Sequence, residues 1–471
     1  MSEALPPRPR ASIASRPEAL KAIDRAAATR PLPGNRVTLL QDGPEVYPAM
    51  LEIIERAQRF VHFENYIFRS DATGWRFAKA LAERAERGVP VRVLCDWLGS
   101  LGTSRRLWRY LRTAGCEVRG FNPPSFLHPL RSISRDHRKL VVADGRQAIV
   151  GGLCIGDEWA GENGTGVPPW RDTAVLIEGP ACQALDLAFD HVWSLTGPPL
   201  PAQDHAGEAP EAGEAAVWVV AGVPGRERAA RVFEYLVAGA RRRVWIADAY
   251  FVPTPRLYDV LATSERDGVD VRILLPGTSD LPVVRNLSRL GYRDMLRAGI
   301  RIFEWNGPMI HGKTLAADTR WARVGTSNLN AVSLIGNYEL DILIEDPALA
   351  RAMEQQFRRD LAGSVEVVRQ PRNVPSAFSR MVPSRLAREG GEQPGNKRRG
   401  RRELRARTVV AWHRLASGAL RSLFGPMSLV LAVLGGLAVA WPRVMGYVFG
   451  GLCLWLAIPA ALQAWRRREP L

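Results

Sequence analysis

"HGKTLAADTRWARVGTSN", residues 311–328, places a lysine two positions after a histidine and an aspartate five positions after that lysine. "HRKLVVADGRQAIVGGLC", residues 137–154, repeats the offsets: His137, Lys139 and Asp144 match His311, Lys313 and Asp318. A glycine follows at the same distance in each copy, Gly151 and Gly325. One copy alone reads as a strand carrying a surface histidine. Two copies with matching glycines read as a single site built twice.

The surroundings are duplicated as well, which is the first thing to establish in a chain of this length. "RFVHFENYIF" (59–68) resembles "RRVWIADAYF" (242–251), and "GVPVRVLCD" (88–96) resembles "GVDVRILLP" (268–276). Both pairs precede their motif in the same order. Val/Ile/Leu-rich strands alternating with amphipathic helical stretches predict an α/β sheet covered by helices. "LTGPPLPAQDHAGEAPEAGEAA" (195–216) has the Pro/Gly/Ala/Glu composition of a linker between two halves.

The net charge of +16 suggests a nucleic-acid binder until its distribution is read. Residues 366–426 hold fourteen Lys/Arg against four Asp/Glu, and residues 427–471 hold four Arg against one Glu. The body before them is close to neutral. Basic "NKRRGRRELRAR" (396–407) predicts a flexible segment, and "TVVAWHRLASGALRSLF" (408–424) an amphipathic surface helix. Two apolar runs follow, 429–441 and 444–465. The second has 22 residues without a charge, and a membrane span needs about 20. "WPRV" between them predicts a helical hairpin, and the basic flanks place those flanks and the body in the cytoplasm. The first residues, "MSEALPPRPRASIASRPEAL", have no apolar core of a secretory signal and read as a disordered arm. Five scattered cysteines form no CxxC pair, which fits a reducing compartment and neither a disulfide framework nor a zinc site.

Chemically, a histidine near its neutral pKa plus a fixed cation is a unit for phosphate. Alternate residues of a strand share a face, so each lysine can join its histidine. Two units meeting at a two-fold-like interface supply two roles: one imidazole attacks phosphorus, the other protonates the leaving oxygen. No metal or cofactor is required. The other histidines, His62, His128, His191, His205 and His413, form no ligand-spaced cluster. Gly151-Gly152 and Gly325-Thr326 are expected to let the backbone approach a phosphate, with Lys139, Lys313, Gly152, Thr326 and the amide of Asn328 as its ligands. Glu64, Asn65 and Tyr66 either line the cleft or pack beneath it.

The pattern H-x-K-x4-D-x6-G-[GST], present twice, resembles the HKD motif of the phospholipase D superfamily. The resemblance covers about residues 35–365, and "ENYIF", "WRDT" and "NYELDILIED" are similar to the bacterial cardiolipin synthase branch. It implies two duplicated phospholipase D-like α/β domains, each a mixed sheet flanked by helices, packed with pseudo-two-fold symmetry, plus the C-terminal helical membrane segment. The expected boundaries are a disordered arm 1–34, a first domain 35–200, a linker 201–216 and a second domain 217–368. A basic flexible segment 369–407 and an amphipathic helix with a transmembrane hairpin, 408–471, complete the chain. The resemblance implies a phosphohistidine on His137 with His311 as acid and base, the reverse assignment staying open. It also implies that Asp172 and Glu339 each orient the histidine of the opposite half. Asp144 and Asp318 complete the catalytic motif, as hydrogen-bonding residues. The first copy departs from the family with Cys154 where asparagine is usual.

The activity implied is phosphatidyl transfer between two phosphatidylglycerols, with phosphatidylethanolamine as a further donor or acceptor, at the cytoplasmic side of a bacterial inner membrane. Phospholipase D hydrolysis differs only in using water as acceptor. A nuclease of the same family is disfavoured by the near-neutral body. The partners expected are phospholipids and an anionic membrane surface, not nucleic acid.

Overall fold

The short apolar runs around each motif become almost wholly buried strands, and their pairing continues through one sheet of the described residues. The computed structural model describes residues 17–124, 133–161 and 168–369. The first half runs α1 (Pro17–Ala27), β1 (Leu32–Gln41), α2 (Asp42–Arg56), β2 (Val61–Asn65), α3 (Ala72–Glu86), β3 (Val91–Asp96) and α4 (Arg105–Thr113). It continues with β4 (Glu117–Phe121), β5 (Lys139–Ala143), β6 (Gln147–Gly151), α5 (Asp157–Ala160), β7 (Thr173–Glu178) and α6 (Ala181–Trp193). The second half runs β8 (Ala215–Gly222), α7 (Arg228–Gly239), β9 (Arg243–Asp248), α8 (Pro255–Arg266), β10 (Asp270–Pro276) and α9 (Pro282–Arg297). It ends with β11 (Arg301–Trp305), β12 (Lys313–Ala317), β13 (Trp321–Gly325), β14 (Glu339–Glu345), α10 (Pro347–Ala362) and β15 (Ser364–Glu366).

The strand order is β4-β3-β2-β5-β6-β7-β1 in the first half and β11-β10-β9-β12-β13-β14-β8 in the second. The same order in each half makes the duplication visible. β1 and β8 pair antiparallel at the centre, so one sheet of fifteen strands results, with β15 added outside β11. β2-β3-β4 and β9-β10-β11 are parallel and the others antiparallel, giving the expected mixed sheet. Registers match between halves: Asn65 lies opposite Lys139, and Asp248 opposite Lys313. Each motif lysine therefore begins its strand beside the end of a parallel strand. An apolar layer that draws Phe189 and Ile177 from the first half and Val219, Val324 and Ile342 from the second joins the two.

Asp144 and Asp318, grouped with the catalytic motif but expected as hydrogen-bonding residues, spend their carboxylates on backbone N–H groups. Each follows the last residue of its motif strand with a positive φ, 56° and 54°. The Asp144 carboxylate accepts from the backbone N–H groups of Gln58, Arg59 and Phe60. That of Asp318 accepts from Arg241, Arg242 and Arg243. Both knot a hairpin turn to the start of β2 or β9. Five residues of extended chain put them roughly 16 Å from the lysines.

Two boundaries need correction. The arm expected over 1–34 contains α1 and the start of β1. Ile23, Ala26 and Ala27 of α1 are buried with Phe233 and Leu236 of α7, and Asp24 accepts from the Trp218 indole N–H at 2.8 Å. The helix had no visible partner because its partner lies in the other half. The linker 201–216 is also docked. Ala206 and Ala209 are buried, the Ala206 N–H donates to Asp186 at 2.8 Å, and Asp204 pairs with the guanidinium of Arg92. Removing one partner of a buried ion pair strands the other. Asp204→Ala is expected to lower unfolding free energy by about 3 kcal/mol, measured by urea denaturation.

Among the described residues no helix is long and apolar enough to cross a membrane. The basic segment, the amphipathic helix and both apolar runs expected after residue 369 lie outside the described residues, as do residues 1–16 of the arm.

Candidate active site

Each motif histidine is positioned by the opposite half. The His137 N–H donates to the Tyr338 carbonyl at 2.9 Å, and the Tyr338 N–H donates to the Arg135 carbonyl at 2.9 Å. In the mirror position the His311 N–H donates to the Arg171 carbonyl, and the Arg171 N–H donates to that of Met309. These bridges lie just before β5 and β12, so the histidines precede their strands rather than sitting in them. Two buried arginines brace them. Arg138 donates to the carbonyls of Ala188, Gly222 and Glu339, and Arg171 is held by Asp42 and Asp360, each at 3.0 Å.

The side chains then pair across the interface. His137 Nδ1 lies 3.0 Å from Glu339 Oε2, and His311 Nδ1 lies 2.8 Å from Asp172 Oδ2. An ionised carboxylate only accepts, so each ring carries its proton on Nδ1 and presents an Nε2 lone pair. The carboxylates are themselves fixed. The hydroxyls of Thr326 and Ser333 donate to Glu339, and the Thr173 N–H donates to Asp172 at 2.8 Å.

The lysines differ in detail. Lys139 Nζ donates to the His137 carbonyl at 2.6 Å and lies 5.2 Å from the centre of the Tyr66 ring. Lys313 Nζ donates to the His311 carbonyl and also lies 2.9 Å and 3.0 Å from the two ring nitrogens. Tyr66 packs edge-on to His137 and Tyr250 edge-on to His311. Among the described residues, Trp159 and Trp170 pack further against His311 and no tryptophan against His137.

Burial is the largest influence on both rings and pushes their proton affinity down. His137 is lowered by burial, partly offset by Glu339. His311 is lowered to about 4 by burial and Lys313, against the pull of Asp172. Each ring also feels the lysine of the other half, which places all four groups in one field. Burial lowers Lys313 to about 8. Burial, the largest single influence, opposes ionisation of Asp172 and Glu339, but the histidines, lysines and hydrogen-bond donors around them together hold both carboxyls below the usual range. Near neutral pH the lowered rings favour the neutral imidazole and the lowered carboxyls favour the carboxylate.

Two expected phosphate ligands, Gly152 and Thr326, make other contacts in the structure. A Cβ at Gly152 would fall 2.1 Å from Asp172 Oδ1, so the missing side chain makes room for the orienting carboxylate rather than for a phosphate. Thr326 spends its hydroxyl on Glu339. Asn328 is buried, and among the described residues its amide oxygen has no hydrogen-bond partner. Cys154, its counterpart, is buried, and its carbonyl accepts from the Tyr47 hydroxyl at 2.6 Å. Gly152→Ala is expected to displace the Asp172 carboxylate and lower turnover about a hundredfold, with thermal melting checking that the fold survives.

Tyr66 was weighed from sequence as lining the cleft. Tyr250 lies one position off in the repeat, since "ADAYF" sets it opposite Ile67 of "ENYIF". Trp159, Trp170 and Ser333 carry no such signal. Glu64 is fully buried beside Asp136. Burial and Asp136 push its carboxyl well up, and burial raises Asp136 to about 7. Asp172 and Glu339 sit where the resemblance put them. Among the described residues no group of three or more His, Cys, Asp or Glu is placed to hold a metal ion.

Fold and site together define a duplicated two-histidine α/β protein of the phospholipase D type. The family described as "Cardiolipin synthase, PLD-like domain" matches residues 50–164 and 235–361. Cardiolipin synthase 2 of Bacillus anthracis is 34% identical over 334 residues, 70% of this chain and 65% of that protein. Cardiolipin synthase A of Pseudomonas aeruginosa is 35% identical over 356 residues, 74% of this chain and 71% of that protein. The crystal structure of phosphatidylserine synthase from Haemophilus influenzae Rd KW20 superposes with a TM-score of 0.59 at 15% identity, covering 74% of this chain and 92% of that one, and shares the fold. The chain belongs to the phospholipase D superfamily, in its cardiolipin synthase branch. It spans slightly under two thirds of the length of the Bacillus anthracis protein.

Proposed function

We propose that this protein is a phosphatidyltransferase that makes cardiolipin from two molecules of phosphatidylglycerol. His137 Nε2 attacks the phosphorus of the first, the bond to the glycerol oxygen breaks, and His311 gives that oxygen a proton. The terminal hydroxyl of the second, deprotonated by His311, then attacks the phosphohistidine. The phosphorus–nitrogen bond breaks, releasing cardiolipin and restoring both rings. The observation that carries this reading is the cross-half pairing of each histidine with a carboxylate, which supplies two Nε2 lone pairs in one field. The division of roles rests on Lys313, which occupies the space beside the His311 ring nitrogens while the side-chain amine of Lys139 stays on a carbonyl. In the same reading, residues 408–471 hold the body at the cytoplasmic face of a bacterial inner membrane, and phosphatidylethanolamine replaces one phosphatidylglycerol in some turnovers.

The test is lipid mass spectrometry on the detergent-solubilised protein in phosphatidylglycerol micelles with EDTA present. Cardiolipin with free glycerol is the expected product pair. Phosphatidic acid without cardiolipin moves the reading to hydrolysis, and no lipid turnover overturns it.

The pH profile follows from the lowered proton affinities. The chemistry needs one protonated and one neutral imidazole, two coupled groups that titrate as a pair. With His311 near 4 and His137 below its ordinary value, both rings lose their protons before pH rises to the ordinary 6.5 or so. The one-proton form of the free enzyme therefore belongs to the acid side. We expect kcat/KM to peak below about pH 6.5, since it reports the free enzyme. Profiles of kcat should peak higher, because the bound phosphate's charge returns a proton to the site.

A further inference from the structure

Isolated exposed apolar side chains are ordinary, but here several of them lie on three loops that each contact the surroundings of a motif histidine. Leu98 and Leu101 follow β3, Leu281 and Val283 follow β10, and Val332 and Ile335 lie on the π-helical turn before β14. Val332 is 72% exposed and Leu101 61%. Each loop touches the group that packs against a motif histidine or its carboxylate. The Ser100 hydroxyl donates to the Tyr66 carbonyl at 3.2 Å, and Gly99 lies so close to Tyr66 that a Cβ would overlap it. The Tyr250 hydroxyl donates to Asp280 at 2.8 Å, just before Leu281. Ser333, next to Val332, donates to Glu339.

Behind two of these loops stand basic helices at equivalent places in the duplicated fold. α4, "RRLWRYLRT", contains no acidic residue and exposes Arg105, Arg106 and Arg109. A shallow groove of about 450 Å³ runs between Arg105, Trp108, Arg109 and Arg112. α9 exposes Arg289, Arg293 and Arg297, although Glu304 and Asp294 engage two of them. Apolar tips backed by arginine and tryptophan suit the boundary between acyl chains and headgroups, where anionic lipid attracts the basic collar.

We propose that these three loops form a rim that enters the headgroup layer of an anionic bilayer and brings a lipid phosphate to the histidines without drawing the lipid into water. The inference rests on the lipid reading above and gives the catalytic body its own contact with the bilayer, separate from residues 408–471.

The test uses the full chain carrying Cys453→Ser, the other four cysteines being buried. Single cysteines are introduced as Leu101→Cys, Val283→Cys and Val332→Cys, with Leu187→Cys and Tyr235→Cys as exposed controls on α6 and α7. Each is labelled with an environment-sensitive fluorophore and mixed with vesicles of phosphatidylglycerol in phosphatidylcholine. The rim labels should shift to the blue and be quenched by spin-labelled acyl chains, while the controls stay water-like. Vesicles of phosphatidylcholine alone should give a smaller shift. Rim labels that stay water-like on protein that floats with the vesicles, or controls that respond equally, would overturn the rim. Lipid turnover measured on the same samples keeps the two readings apart. Turnover without a rim response sinks the rim alone, and a rim response without turnover supports the rim while counting against the transferase.

Discussion

His137→Ala should abolish both cardiolipin formation and covalent labelling of the protein by phosphatidylglycerol carrying labelled phosphate, a loss of roughly 10⁵-fold or more, as expected when a nucleophile is deleted. His311→Ala should behave differently. Losing general acid–base help costs about 10²- to 10⁴-fold, yet the nucleophile is intact, so slow labelling persists and the label is trapped because no base activates the acceptor. The label should be acid-labile, as a phosphorus–nitrogen bond is. The asymmetry around the rings motivates the assignment. The Lys313 amine lies within hydrogen-bonding distance of both His311 ring nitrogens, whereas the Lys139 amine is held on the His137 carbonyl. Among the described residues, Tyr250, Trp159 and Trp170 pack against His311, and Tyr66 alone against His137. Labelling that survives in His137→Ala and vanishes in His311→Ala would exchange the two roles.

The motif was legible because its residues are close in the chain and occur twice. His-x-Lys and the aspartate knot are local patterns, and the strands beside them repeat with the same composition. The structure agrees down to matched registers of Lys139 with Asn65 and Lys313 with Asp248. What was not legible depends on distance along the chain. Glu339 lies 202 residues from His137 and Asp172 139 from His311, and no spacing rule links them; only the family resemblance did. The misread arm and linker fail for the same reason. The apolar face of α1 rests on α7, and Asp204 meets Arg92, 112 positions earlier. Gly152 was hard to read for a subtler cause. A small residue beside a phosphate site and a small residue beside a packed carboxylate look identical in sequence, and only the Cβ position tells them apart.

The orienting carboxylates give the second large effect, because each should copy the defect of a histidine in the other half. Asp172→Asn and Glu339→Gln change a charge and almost no volume, and the hydroxyls on Glu339 can turn to meet an amide. An amide offers N–H as well as oxygen, so it no longer compels the ring to keep its proton on Nδ1, and wrong-tautomer losses in comparable triads reach about 10⁴-fold. The lost charge acts in the same direction. Burial and the lysines already depress both rings, and without the carboxylate nothing resists them, so the kcat/KM optimum should move further to the acid side. Turnover should fall about 10²- to 10⁴-fold in each variant. Asp172→Asn should keep slow labelling of His137, as His311→Ala does, while in Glu339→Gln the label should not accumulate, because its formation becomes slower than its breakdown. In the double variants Asp172→Asn should add little to His311→Ala, since residues acting as a unit are not additive. If instead Asp172→Asn abolished labelling and Glu339→Gln spared it, each carboxylate would be serving the histidine of its own half, and the cross-half pairs would not be the working unit.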